Sequence, residues 1–152
     1  MLQNLLEFVS QNSTTTFYFT QLEISFKLNK KIIKKSIQNT PAFTAGDETL
    51  IREVLHPRND GLSLGYSLAF ATLEPGQASL PHVLRESSEV YVVQKGRGRA
   101  FIGEEVADAG PGDVIFIPSG ARQYIENTGE ERLEFWCIVS PPWSEEGEGL
   151  VE

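Results

Sequence analysis

Two stretches decide how this chain folds: residues 76–96, GQASLPHVLRESSEVYVVQKG, and residues 112–127, GDVIFIPSGARQYIEN. Each holds short apolar or β-branched runs bounded by Gly, Pro and Asn, the pattern of strands between tight turns. The same pattern continues outward. Leu62 to Leu73 is a β-compatible run closed by Pro75-Gly76, and Glu89 to Val93 leads into Lys95-Gly96-Arg97-Gly98. Arg99 to Ile102 ends at Gly103, and Val114 to Ile117 lies between Ala109–Asp113 and Pro118-Ser119-Gly120. Gln123 to Glu126 stops at Asn127-Thr128-Gly129, and Arg132 to Val139 ends at Pro141-Pro142. After residue 50 no helical segment of ten residues with a 3.6 period is visible. The expectation is an all-β sandwich or barrel.

The punctuation has a physical basis. Gly96 and Gly112 fall at turns that call for positive φ or close backbone approach. Asn127 precedes Thr128-Gly129, where an Asx-type side-chain bond holds a turn. His82 and Leu84 are two apart and share one strand face, as do Glu89, Tyr91 and Val93, and Phe135, Cys137 and Val139.

In compact form the patterns are Gly76-x5-His82-x-Leu84-x4-Glu89-x6-Gly96 and Gly112-x5-Pro118-x-Gly120-x2-Gln123-x3-Asn127, separated by residues 97–111. They resemble the two signature motifs of the cupin superfamily, over about residues 47–143. The resemblance implies a single antiparallel jelly-roll β-barrel with a ligand pocket inside, and it places the His82 face in that interior. In the family the first motif supplies two His and a Glu and the second a third His, all to one divalent metal. Position by position these fall on His82, Leu84, Glu89 and Gln123. Leu84 cannot bind a metal, and the Gln123 amide oxygen is a weaker donor than imidazole. The resemblance therefore implies a divalent transition metal (Zn, Fe, Mn or Ni) on His82, Glu89 and Gln123, with open coordination positions. His56, the other histidine, ends an apparent strand at Leu55-His56-Pro57; it is either a fourth ligand swung into the barrel mouth or a packing histidine.

Tyr91 places a phenol beside Glu89, as a proton donor to a substrate or as a barrel-wall aromatic. Cys137 reads as a buried, inert thiol. No Ser/His/Asp or Cys/His arrangement is visible. The resemblance leaves two functional readings. One is a metal-dependent protein acting on a small organic molecule of the sugar-phosphate or organic-acid class. The other is a non-catalytic ligand-binding or sensor module with a depleted site.

Composition sets the outer limits. The chain has 152 residues, one domain's worth, with 40% hydrophobic residues. Its net charge of −8 argues against nucleic acid or an anionic membrane as partner. One cysteine excludes an internal disulfide framework, and no apolar run is long enough to span a bilayer. With no basic start to suggest a signal peptide, a cytoplasmic location is expected. Residues 1–40 hold no Gly and no Pro, and their five Lys and two Glu oppose the acidic balance of the remainder. They are expected to be a leader or arm outside the barrel, poorly packed over residues 1–30, with a candidate strand at 17–26. The barrel is expected over 41–143, and residues 144–152 as a solvated acidic tail. A homodimer is expected, with residues 17–26 or 41–55 crossing to the partner to cover open strand edges.

Overall fold

Residues 32–151 are described in the computed structural model of the chain. The chain separates into two units, Met1–Lys34 and Lys35–Glu152. In the first, residues 32–34 carry no regular secondary structure. The expected strand at 17–26 and the rest of the arm up to residue 31 lie outside the described residues.

In the second unit eleven strands follow in order among the described residues. They are β1 (Phe43–Thr44), β2 (Leu50–Leu55), β3 (Ser67–Leu73), β4 (His82–Leu84), β5 (Ser88–Lys95), β6 (Gly98–Ile102), β7 (Glu105–Ala109), β8 (Val114–Ile117), β9 (Arg122–Asn127), β10 (Leu133–Ser140) and β11 (Glu148–Leu150). One sheet runs β1-β2-β3-β10-β5-β8 and the other β11-β4-β9-β6-β7, antiparallel throughout. This is the expected all-β jelly roll. No helix among the described residues is long and apolar enough to cross a membrane.

Strand alternation sets the core. On β5, Glu89, Tyr91 and Val93 are buried while their neighbours Val90 and Val92 are less so. Gln123, Ile125 and Asn127 are the buried set on β9, and Leu133, Phe135 and Val139 on β10. Ala71, Leu73, Val93, Ala100, Ile117, Ile125, Leu133 and Phe135 from both sheets form one apolar cluster. Full burial of each larger side chain contributes about 1.5–3 kcal/mol.

The turns behave as their residues demand. Gly96 has φ 83° and Gly112 φ 92°. A Cβ at Gly96 would meet the Arg132 carbonyl oxygen at 2.4 Å, so only glycine fits there. Asn127 Oδ1 accepts from the Gly129 N–H at 3.0 Å, the expected Asx bond. Its Nδ2 also donates to the carbonyls of Leu73 (2.9 Å) and Glu131 (2.8 Å), tying three turns together.

Two expectations change, on the run from Leu62 and on the acidic tail, and one strand had no signal in the sequence. The run from Leu62 yields a strand only from Ser67, because Pro57–Asp60 forms one helical turn closed by Gly61 at φ 62°. β7 carries no apolar alternation because it is an edge strand exposed over Glu105–Asp108. The acidic tail is not a free end: Glu148–Leu150 pairs with β4, placing Leu150 opposite His82. Arg85 holds it there, its Nη1 donating to the carbonyls of Glu146 (2.9 Å) and Glu148 (3.0 Å). Within residues 41–55, β1 pairs with β2, and β2 with β3.

Candidate functional site

Between the sheets lies a cavity of about 190 Å³. Its polar end is lined by side chains from β4, β5 and the turn before β2; Gln123 of β9 is bonded to two of them without being among the lining residues. His82 and Gln123 are direct cross-strand partners on β4 and β9. Glu89 reaches in from β5 in the opposite sheet, with Tyr91 two residues on. Asp47 comes from the turn between β1 and β2.

The hydrogen bonds define this end closely. His82 Nδ1 lies 2.9 Å from the Leu80 carbonyl oxygen, a bond that only an N–H can make. Nε2 is then the lone-pair nitrogen, and it accepts from Gln123 Nε2 at 2.8 Å. The same amide nitrogen donates to Glu89 Oε2 at 2.6 Å. Both amide hydrogens of Gln123 are thereby used, one in each sheet. With Glu89 ionised, the reverse orientation would set Gln123 Oε1 against two acceptors. As oriented, Oε1 is buried without a hydrogen-bond partner.

Burial pushes the Glu89 carboxyl up to about 7, against the opposing pull of the Gln123 and Cys137 hydrogen bonds and of His82. Burial, and then the nearby Glu89, holds the Tyr91 phenol well above its usual range, so it is a neutral donor. Burial likewise raises the Cys137 thiol, which stays protonated beside Glu89. Cys137 is half-buried and lines the cavity. Tyr91 stacks edge-on against Phe135, ring centroids 4.9 Å apart, and both line the cavity.

His56 does not join this group. Its Nδ1 accepts from the Arg58 N–H at 3.3 Å, and its Nε2 lies 3.0 Å from the Trp143 carbonyl oxygen. It caps the helical turn, is buried, and does not line the cavity. The fourth-ligand expectation for His56 is therefore replaced by a packing role.

Several site residues carried no sequence signal. Asp47 Oδ2 accepts from Thr49 Oγ1 (2.8 Å) and lies 3.8 Å from His82 Nδ1. In sequence, Gly46-Asp47 reads as an ordinary turn. Trp143 and Glu148 line the cavity, the indole Nε1 donating to Glu148 Oε2 at 2.8 Å. No Lys or Arg is among the described residues lining the cavity. The expected sugar-phosphate or organic-acid ligand thus finds no cationic side chain there.

The family's metal can be tested against this geometry. The two donors retained at the motif positions, His82 Nε2 and Glu89 Oε2, are both engaged by one amide NH2. Leu84 offers nothing at its position, and no group of three His, Cys, Asp or Glu suited to a metal occurs among the described residues. One imidazole and one carboxylate, already hydrogen-bonded, do not fit a resident transition metal.

Comparison with known proteins agrees with the fold. The Cupin_2 family model, a cupin domain, matches residues 69–139. An uncharacterized protein of Methanocaldococcus jannaschii, MJ1618, is 34% identical over 125 residues, covering 82% of this chain and 99% of its own length. The mannose-1-phosphate guanylyltransferase ManC of Salmonella typhimurium is 29% identical over 118 residues, 75% of this chain but 25% of that protein. Among solved structures, a predicted oxalate decarboxylase of Thermotoga maritima superposes with TM-score 0.64 at 22% identity, covering 71% of this chain and 98% of that one. The Streptomyces nucleoside dehydratase Pac13 superposes with TM-score 0.65 at 19% identity, covering 80% and 92%. With the paired motifs, the jelly roll and these relatives in agreement, the chain belongs to the cupin superfamily.

Proposed function

We propose that this protein binds a small organic molecule inside the barrel, and that the His82–Gln123–Glu89 chain stands where the family's metal would be. The observation that carries this reading is the Gln123 amide, whose two hydrogens satisfy the imidazole at 2.8 Å and the carboxylate at 2.6 Å. An apolar-walled cavity with a few convergent polar groups is the usual form of a small-molecule site. The relatives named for small-molecule chemistry, a nucleoside dehydratase and a sugar-phosphate guanylyltransferase, support an organic ligand of metabolite size.

Glu89, with a carboxyl held near 7, is suited to take or give a proton at neutral pH. The neutral Tyr91 phenol supplies a hydrogen bond from the same strand face. A second reading, binding without turnover, is favoured by the closure of the His82–Gln123–Glu89 chain on itself. Proton NMR of the ligand after incubation separates the two, since an enzyme returns a changed molecule.

The test of the barrel reading is a thermal-shift panel of neutral, cationic and anionic small molecules, run in EDTA. Saturable stabilisation in EDTA, lost on filling the cavity with Ala69→Phe, is the expected result. Stabilisation seen only after a divalent metal is added back would overturn the metal-free reading. Stabilisation that survives Ala69→Phe would place the ligand outside the barrel.

A further inference from the structure

The charged groups that line the cavity are answered from within the chain. Asp47 accepts from the Thr49 N–H (3.1 Å) and Oγ1 (2.8 Å), and Glu89 from Gln123 Nε2 (2.6 Å). Glu53 accepts from Asn59 Nδ2 (2.6 Å) and Glu148 from Trp143 Nε1 (2.8 Å). No Lys or Arg is among the described lining residues. An anion would give up its hydration there for no counter-charge, and a cation would compete with donors already in place.

The group left over is a hydroxyl. Tyr91 is 3% exposed and lines the cavity, and its Oη makes no hydrogen bond with any described residue. Among the described residues, the side-chain polar atoms both sealed off and unpaired are Arg52 Nε and Gln123 Oε1. Tyr91 Oη is unpaired without being sealed off, so its open side is the cavity that the residue lines. Burial, and then the Glu89 carboxylate, keep the phenol protonated, so it is a donor. Two further buried hydroxyls in the wall point the same way. Ser67 Oγ accepts from the Trp143 N–H (3.0 Å) and Ser79 Oγ from the Ile125 N–H (3.1 Å). Neither hydroxyl hydrogen has an acceptor among the described residues. Buried hydroxyls normally find partners, and a group that binds in the cavity explains an unpaired one.

We infer that the barrel takes an uncharged carbonyl compound with an apolar body, its C=O accepting from the Tyr91 hydroxyl and its body lying against Ala71, Leu84 and Phe135. A carbonyl oxygen accepts and brings no hydrogen of its own, so it answers the free O–H and leaves the carboxylates as they are. An engineered apolar cavity of about 150 Å³ takes up benzene, so one of about 190 Å³ has room for a six-membered ring. This inference rests on the reading of the cavity as the ligand site and adds the ligand's neutrality and the residue that recognises it.

The test is an NMR titration of the full ¹⁵N-labelled chain with three rings of matched size: cyclohexanone, cyclohexylammonium and cyclohexanecarboxylate. Saturable shifts at the amides of Ala69, Tyr91, Phe135 and Cys137 are expected with cyclohexanone. Affinity for each charged ring should be about tenfold lower or less. Tyr91→Phe should weaken cyclohexanone about fivefold, the loss of one hydrogen bond. The same variant should leave the affinity for methylenecyclohexane, which has CH2 in place of the oxygen, unchanged. In the infrared, the carbonyl band of cyclohexanone bound to the wild type should lie below its position in hexane. Should Tyr91→Phe fail to fold, that band decides, and a band at the hexane position would overturn the hydrogen bond. Equal affinity of wild type and Tyr91→Phe for cyclohexanone would overturn it too. Binding of either charged ring as tight as cyclohexanone would overturn the ligand's neutrality while leaving the barrel as the ligand site. Absence of saturable shifts with cyclohexanone would overturn the inference as a whole, and the thermal-shift panel decides the barrel reading separately.

Discussion

Gln123 Nε2 stands 2.6 Å from Glu89 Oε2, a hydrogen bond that crosses the barrel interior from one sheet to the other. The same nitrogen also holds His82 within its own sheet, so one amide joins three buried polar side chains. Replacing Gln123 with Leu keeps its approximate size and removes both bonds. The cost of leaving two buried acceptors unsatisfied should lower stability by about 2–4 kcal/mol. Urea denaturation of wild type and variant measures it, and a change within error would show that the bridge carries no stability.

Rebuilding the donor set should create a metal site. Gln123→His substitutes an imidazole for the amide whose hydrogens occupy His82 and Glu89, and adding Leu84→His completes the family's four positions. Titration with Zn²⁺, Ni²⁺ or Mn²⁺ should show no specific binding by the wild type, binding by Gln123→His, and tighter binding by the double variant. His82→Ala in the Gln123→His background should abolish it. Equal affinity in the wild type and Gln123→His would mean that the native amide does not block the metal.

Stability should depend on pH through Glu89. Its carboxyl is near 4.5 in the unfolded chain and is raised to about 7 by burial in the fold, so the folded state holds the proton more tightly. That contribution is fully present below about pH 4.5 and is lost as pH rises through about 7. Relative to Glu89→Gln, the wild type should lose on the order of 1–3 kcal/mol between pH 4.5 and pH 8. Denaturation midpoints of both proteins across that range test this, and parallel curves would contradict it.

His56→Ala should act on the fold and not on a metal. The side chain caps the helical turn and ties it to the Trp143 backbone. Losing both should cost about 1–2 kcal/mol. In the Gln123→His background, metal affinity should be unchanged by His56→Ala; a large loss would return His56 to the site.

The outer face of the six-stranded sheet should carry the homodimer. On edge strand β8, Val114 and Phe116 are 65% and 64% exposed, and they lie opposite Val92 and Val90 on β5. An apolar face at a sheet edge is a natural partner surface. Light scattering at micromolar concentration should report a dimer, and Phe116→Asp a monomer. A monomeric wild type would rule the dimer out.

Much of this was legible in the order of residues. The Gly, Pro and Asn positions that break the strands impose their conformations locally, so Gly96, Gly112 and the Asn127 turn follow from residue type. Period-two alternation set Glu89, Tyr91 and Val93 on one face because a strand has two faces and one is buried. That His82, Glu89 and Gln123 share a single site was implied by the resemblance of the two motifs to the cupin superfamily. Tertiary structure decided what those residues do together. Whether Gln123 offers its oxygen to an ion or its hydrogens to His82 and Glu89 depends on the Leu80 carbonyl, a backbone group that sets the imidazole tautomer and that no residue type in the motif announces. Asp47 and Glu148 enter the site from a short turn and an acidic tail, where local sequence shows only exposed polarity. His56 has both ring nitrogens bonded to the backbone of Arg58 and Trp143, and only the fold brings Trp143 to it. Local steric preference acts over a few residues and can be read along the chain. The charge and hydrogen-bond balance of a cavity sums over groups far apart in sequence, and it exists only once the two sheets have closed.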